Sequence, residues 1–224
     1  MVKRSGSPAI EHAVLVTGFE PFGGATTNPS ECVARALDGQ AIVGRSVVAA
    51  VLPCVFGDAR RALVRAIDRV RPELVVCVGE AGGRAEISVE RVAINIDDAR
   101  IPDNAGARPI DRLIVTGGPV GYWSSLPIKA IVSALDAEKI AATVSQSAGT
   151  FVCNHIFYAL MHALRDRPGV RGGFVHVPYL PEQVIGRPGI PSMALAQTTR
   201  ALEIVIATSL ATRADAVIVG GATH

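Results

Sequence analysis

Apolar residues recur with two periods along this chain, short runs that suit buried strands and wider spacings that suit one face of a helix. Strands are predicted over 13–17, 47–52, 74–79, 142–145 and 174–177, with extended segments over 87–96. Helical spacing appears over 57–70, where Ala62, Leu63, Ala66, Ile67 and Val70 share a side, and again over 127–135 and 192–210. Asn28-Pro29 reads as a helix start, Asn as N-cap and Pro at the first helical position, continued by residues 32–37. Ile156, Phe157, Leu160, Met161 and Leu164 fall on one face of another helix, with Thr150 placed to cap it. Residues 99–122, rich in Gly, Pro and Asp, predict a long surface excursion. The apolar, strand-like tail 216–221 finds no place in this scheme.

Strands alternating with helices predict an α/β fold. Residues 1–11 read as a polar leader and 12–224 as a single doubly wound domain, a mostly parallel twisted sheet with helices on both faces. Sites in such sheets gather at the carboxyl ends of strands, where the glycine-containing turn after the first strand, Gly79 and His176 all fall.

Composition narrows the function. The 224 residues are 49% hydrophobic with few aromatics, which suits parallel strands buried on both faces. The 22 basic and 20 acidic residues are interspersed, so no basic stripe points to nucleic acid or to a membrane surface. No stretch before Glu11 and His12 has the apolar character of a signal peptide, and no run approaches the ~18 apolar residues of a membrane span. A cytoplasmic protein is expected. Cys32, Cys54, Cys77 and Cys153 lack CxxC spacing and are expected as free thiols, Cys77 as a core residue in its apolar run. The scattered Cys and His lack zinc spacing, so neither a metal nor a cofactor is expected.

The segment Ser147-Ala-Gly-Thr-Phe-Val-Cys-Asn-His155 carries the candidate chemistry. A thiol in the first turn of a helix meets free N–H groups and the positive dipole end, which favour its anion. Local sequence alone allows equally a buried structural thiol. Two histidines compete as its base. His155 lies about 200° round the same helix from Cys153 and faces it poorly. His176, near the end of a separate strand in Gly172-Gly-Phe-Val-His-Val-Pro-Tyr179, has no such obstacle. His162, further along the helix, is expected at the surface. The turn after the first strand has neither GxGxxG nor GxxxxGK[ST], which weakens a phosphate-binding reading. Two aromatics on a loop of small residues suit a flat, apolar group.

Four blocks in order resemble the pyroglutamyl peptidase I family of cysteine peptidases: 15–24 with 28–30, 79–84 running into 89–104, 147–154, and 172–183. The resemblance implies an exopeptidase that hydrolyses the amide bond after an N-terminal pyroglutamyl residue through a thiol acyl-enzyme. It implies Cys153 as nucleophile, His176 as base and Glu90 as the acid that orients His176, a choice that pattern alone does not make over Glu86 or Asp97. It places Phe19 and Phe22 on either side of the pyroglutamyl ring, Phe151 nearby, Asn28 near the pocket and Arg100 by the active site. Peptides with N-terminal pyroglutamate are the implied partners, and a homo-oligomer, tetramer or dimer, the implied assembly. Glu80 and Cys54 stand where Gln and Thr are common in the family. The glycines at 79, 82 and 83 lead to the expectation that Glu80 points to solvent or pairs with Arg84. A phosphate-dependent or ligand-binding domain and a catalytically silent interaction protein are the alternatives from other classes.

Overall fold

The structure, a computed structural model, describes residues 13–221; the leader expected over 1–11 lies outside them. In chain order the elements are β1 (Ala13–Phe19), α1 (Pro29–Leu37), β2 (Ala41–Ile42), β3 (Arg45–Leu52), α2 (Asp58–Val70), β4 (Leu74–Glu80), β5 (Ile87–Glu90), β6 (Val92–Ile94), β7 (Gly121–Trp123), α3 (Ile128–Ala137), β8 (Ala142–Ser145), α4 (Val152–Leu164), β9 (Arg171–Val177) and α5 (Leu195–Ala211). Seven strands form one sheet in the order β2-β3-β1-β4-β9-β5-β8, and β6 and β7 form a separate hairpin. β3, β1, β4 and β9 run parallel. The sheet is mixed, because β5 and β8, parallel to each other, run antiparallel to β9.

Alternation within each strand divides the core in two. Val14, Val16, Val76, Val78, Val175 and Val177 point to a layer filled by α1, α3 and α5. Leu15, Phe19, Val75, Cys77 and Phe174 point to the opposite layer, filled by α2 and α4. The expected doubly wound α/β arrangement is thus present, with helices on both faces.

The helix start at Asn28-Pro29 is realised. Asn28 Oδ1 accepts from the Ser30 N–H at 3.0 Å, and Pro29 opens the helix. α1 seats directly on β1 because Gly18 has no side chain: a Cβ there would lie 2.1 Å from the Ser30 carbonyl oxygen. Two expectations change. Thr150 does not cap α4; its hydroxyl donates to the Asp98 carbonyl at 2.7 Å, and Phe151 occupies the N-cap position without a side-chain bond. The tail is irregular rather than a strand. Asp215 Oδ1 accepts from the backbone N–H groups of Lys129 and Ala130, both at 3.0 Å, and so supplies the cap that Pro127 cannot give α3. Beyond it Arg91 donates to the Gly220 carbonyl, while Val217 and Val219 stay exposed. The 99–122 excursion is irregular until it enters β7 at Gly121, and it is anchored: buried Asp103 accepts the Phe56 N–H at 2.9 Å.

Candidate active site

Strand alternation puts Phe19, Gly79, Glu90 and His176 on the sheet face that α4 covers. Gly79 and His176 are register partners on adjacent parallel strands. The first turn of α4 crosses above them, and Cys153 Sγ occupies the space that a side chain at Gly79 would need: a Cβ there would lie 2.8 Å from Sγ and 2.8 Å from Phe174 Cζ. The thiol is thereby seated beside the imidazole. No hydrogen bond joins the two among the described residues, and such pairs commonly tighten only when substrate binds.

Glu90 is fully buried, and its Oε1 lies 2.7 Å from His176 Nδ1 and 3.0 Å from Arg84 Nη1. Burial alone would push this carboxyl up. The hydrogen bond and charge of His176, with Ser145 and Arg84, outweigh it and hold the group below its ordinary value. An ionised carboxylate only accepts, so Nδ1 carries a proton, and in the neutral imidazole Nε2 is the nitrogen with the free lone pair. His155 is excluded from this role by its own bonds. Its Nε2 accepts the Gly57 N–H at 3.2 Å and its Nδ1 donates to Asp97 Oδ2 at 2.8 Å, so both nitrogens are engaged within the fold. His162 is half-buried rather than at the surface, its Nδ1 at 2.8 Å from the Tyr122 hydroxyl.

The Cys153 thiol departs from expectation. Burial first, then the charges of Cys54, Glu90 and Glu80, push its pKa well above the ordinary thiol value, with only Arg84 pulling it down. The helix start opposes this shift.

Phe19, Phe22, Asn28, Cys54, Glu80, Phe151, Val152 and Cys153 line a narrow cavity. Three aromatic rings, an aliphatic wall and one carboxyl make a seat for a small flat group with Sγ at its edge. Phe22 and Phe151 face each other with centroids 6.0 Å apart, and Phe56 backs Phe151 edge-on at 5.4 Å. Asn28 contributes to the wall, but its side-chain atoms are taken by Ser30 and the Glu20 carbonyl. Arg100 lies elsewhere, exposed on an open groove that meets the cavity at Phe22 and Glu80 and that Tyr179, Gln183 and Arg187 also line. Glu80 corrects its expectation. It lines the cavity, its Oε2 accepts from Gln183 Nε2 at 2.8 Å, and Arg84 pairs with Glu90 instead. Arg84 and Ser145 were not singled out as parts of the site; Arg84 ends the glycine-rich 79–84 block, the one sequence signal that marked it. The four cysteines are free thiols, with Cys77 fully buried.

Comparisons with known proteins show what the chain is similar to. The family described as pyroglutamyl peptidase matches residues 12–212. A pyrrolidone-carboxylate peptidase of Klebsiella pneumoniae is 58% identical over 211 residues, covering 94% of this chain and 99% of the relative. The crystal structure of Bacillus amyloliquefaciens pyroglutamyl peptidase I superposes with a TM-score of 0.89 at 47% identity, covering 92% of this chain and all of that one. Pyrrolidone carboxyl peptidase from Thermococcus litoralis gives a TM-score of 0.90 at 39% identity, covering 92% and 99%.

Proposed function

The chain belongs to the pyroglutamyl peptidase family, and on that premise we propose that Cys153, His176 and Glu90 carry its reaction and that the cavity beside them holds the ring. The protein is a cysteine peptidase that removes an N-terminal pyroglutamyl residue from peptides. The observation that carries the residue assignment is the seating of Cys153 Sγ over Gly79, next to His176, with Glu90 bonded to the far imidazole nitrogen.

The pyroglutamyl ring lies between Phe19, Phe22 and Phe151 with its exocyclic carbonyl at Sγ. As Sγ attacks, its proton passes to His176 Nε2, in keeping with a thiol pKa raised by burial. Glu90 holds the imidazole in the required tautomer and stabilises the imidazolium. The tetrahedral oxyanion meets the free backbone N–H groups of the first turn of α4. His176 returns the proton to the departing amine, then activates water to release pyroglutamate and regenerate the thiol. Phe19, Phe22 and Phe151 exclude water and set the ring plane; Asn28 acts through the wall it holds; Arg100 meets the peptide beyond the scissile bond.

The continuous sheet supports reading 12–224 as one peptidase unit. Among the described residues no helix is long and apolar enough to cross a membrane; with four free thiols this supports a place in the cytoplasm. A homo-oligomer rests on the family resemblance. Hydrolysis of a fluorogenic pyroglutamyl amide tests the assignment. Cys153→Ser should fold as the parent and lose nearly all turnover, and full turnover in that variant rejects the nucleophile.

A further inference from the structure

A neutral lactam offers a carboxylate an N–H donor but no positive charge to balance it, and Glu80 lines the ring cavity. Glu80 is the last residue of β4, immediately after the Gly79 that seats the thiol, and is held in place by Gln183 Nε2 on Oε2 at 2.8 Å. Oε1 makes no hydrogen bond among the described residues. Burial pushes the carboxyl above its ordinary value, the Gln183 hydrogen bond and the charge of Arg187 pulling back. Arg187 forms no ion pair with it; its guanidinium lies over the Tyr179 ring, 5.2 Å from the centroid. The cavity therefore combines aromatic rings with a carboxyl that lacks a close counter-ion. Aromatic faces and a carboxylate together form a seat for a cation.

Resting on the proposed catalytic residues, we propose that this chain also hydrolyses the amide bond after an N-terminal prolyl residue, with Glu80 as counter-ion to the cyclic secondary ammonium. Proline has the same five-membered ring as pyroglutamate and bears its carbonyl at the same ring carbon. It differs in one ring CH2 where the lactam has C=O, and in NH2+ where the lactam has N–H. Burying that ammonium is costly without a partner, and Glu80 Oε1 supplies one. The bound cation in turn favours ionised Glu80, offsetting the effect of burial. The chemical steps are unchanged. Cys153 Sγ bonds to the prolyl carbonyl carbon, the C–N bond to the leaving amine breaks with a proton from His176, and water releases proline and restores the thiol. An open-chain N-terminal Gln or Glu does not present the ring that the three phenylalanines enclose.

The test uses the full chain, its Cys153→Ser variant and its Glu80→Gln variant, each with prolyl and pyroglutamyl fluorogenic amides. The parent is expected to hydrolyse the prolyl amide above the Cys153→Ser background. Glu80→Gln is expected to lower the ratio of prolyl to pyroglutamyl kcat/KM by about tenfold or more, the scale of a charge-assisted hydrogen bond. L-Prolinamide is expected to compete with the pyroglutamyl amide, more weakly in Glu80→Gln. Prolyl hydrolysis no greater than that of Cys153→Ser, or an unchanged ratio in Glu80→Gln, overturns the inference. If the parent nonetheless turns over the pyroglutamyl amide and Cys153→Ser does not, the proposed catalytic assignment stands alone. If neither substrate is turned over, both fall.

Discussion

Gly79→Ala is the most informative single perturbation, because the methyl group it adds meets Sγ of Cys153, the proposed nucleophile. The added Cβ would lie 2.8 Å from Cys153 Sγ and 2.8 Å from Phe174 Cζ, against the 3.4 Å at which ordinary contact begins. Something must therefore move by at least about 0.6 Å. Phe174 is fully buried and packed between Phe19 and Phe157, with centroids at 6.4 and 6.0 Å, so it yields little. Sγ is the freer group, and its displacement disturbs the placing of the proposed nucleophile beside His176. A misplacement approaching 1 Å costs on the order of 10²-fold in rate, and overpacking of this kind costs about 1–3 kcal/mol of stability. Steady-state turnover of a pyroglutamyl amide, read beside thermal unfolding, separates the two effects. The expected result is a kcat lower by about 10²-fold in a protein that still unfolds cooperatively. Parent-like kcat in folded Gly79→Ala would refute the seating of the thiol over this glycine.

Three further outcomes follow from the same geometry. Cys32→Ser and Cys77→Ala should retain turnover, since Cys32 lies on α1 and Cys77 in the core, away from the cavity; loss of activity in folded Cys32→Ser would contradict the assignment to Cys153. Glu90 is held below the ordinary glutamate value of 4.5, so it contributes stability that is present above that pH and is lost as pH falls through the lowered folded value; the stability gap between the parent and Glu90→Gln, from denaturant titrations, should narrow below pH 4.5, and a gap that widens on acidification reverses the sign. Asp97→Ala leaves buried His155 Nδ1 without its acceptor and should cost about 1–3 kcal/mol in chemical denaturation, whereas a change under about 0.5 kcal/mol would show the pair to be dispensable.

Much of this protein is local and therefore legible along the chain. The α/β alternation, the Asn28-Pro29 helix start and the place of Cys153 in the first turn of α4 follow from periodicity and capping within a few residues. So did the preference for His176 over His155, because about 200° of helical rotation is a local constraint. Glu90 was a different case: choosing it over Glu86 or Asp97 depends on β5 meeting β9 antiparallel, across 86 residues of sequence. The direction of Glu80 is set by Gln183, 103 residues away, and glycine-based reasoning within its own turn gave the wrong side. Thr150 could have capped α4, but the Asp98 carbonyl, 52 residues distant, takes its hydroxyl. The ionisation of Cys153 also depends on distant groups: a helix start favours the thiolate, while burial and the charges of Cys54, Glu90 and Glu80 raise its pKa. The sequence by itself determined which elements form and which residues carry reactive groups, because backbone preference and apolar spacing act over a few residues. Only the tertiary structure decided what each reactive group faces, because charge, burial and hydrogen-bond partners arrive from strands and loops that the chain order keeps apart.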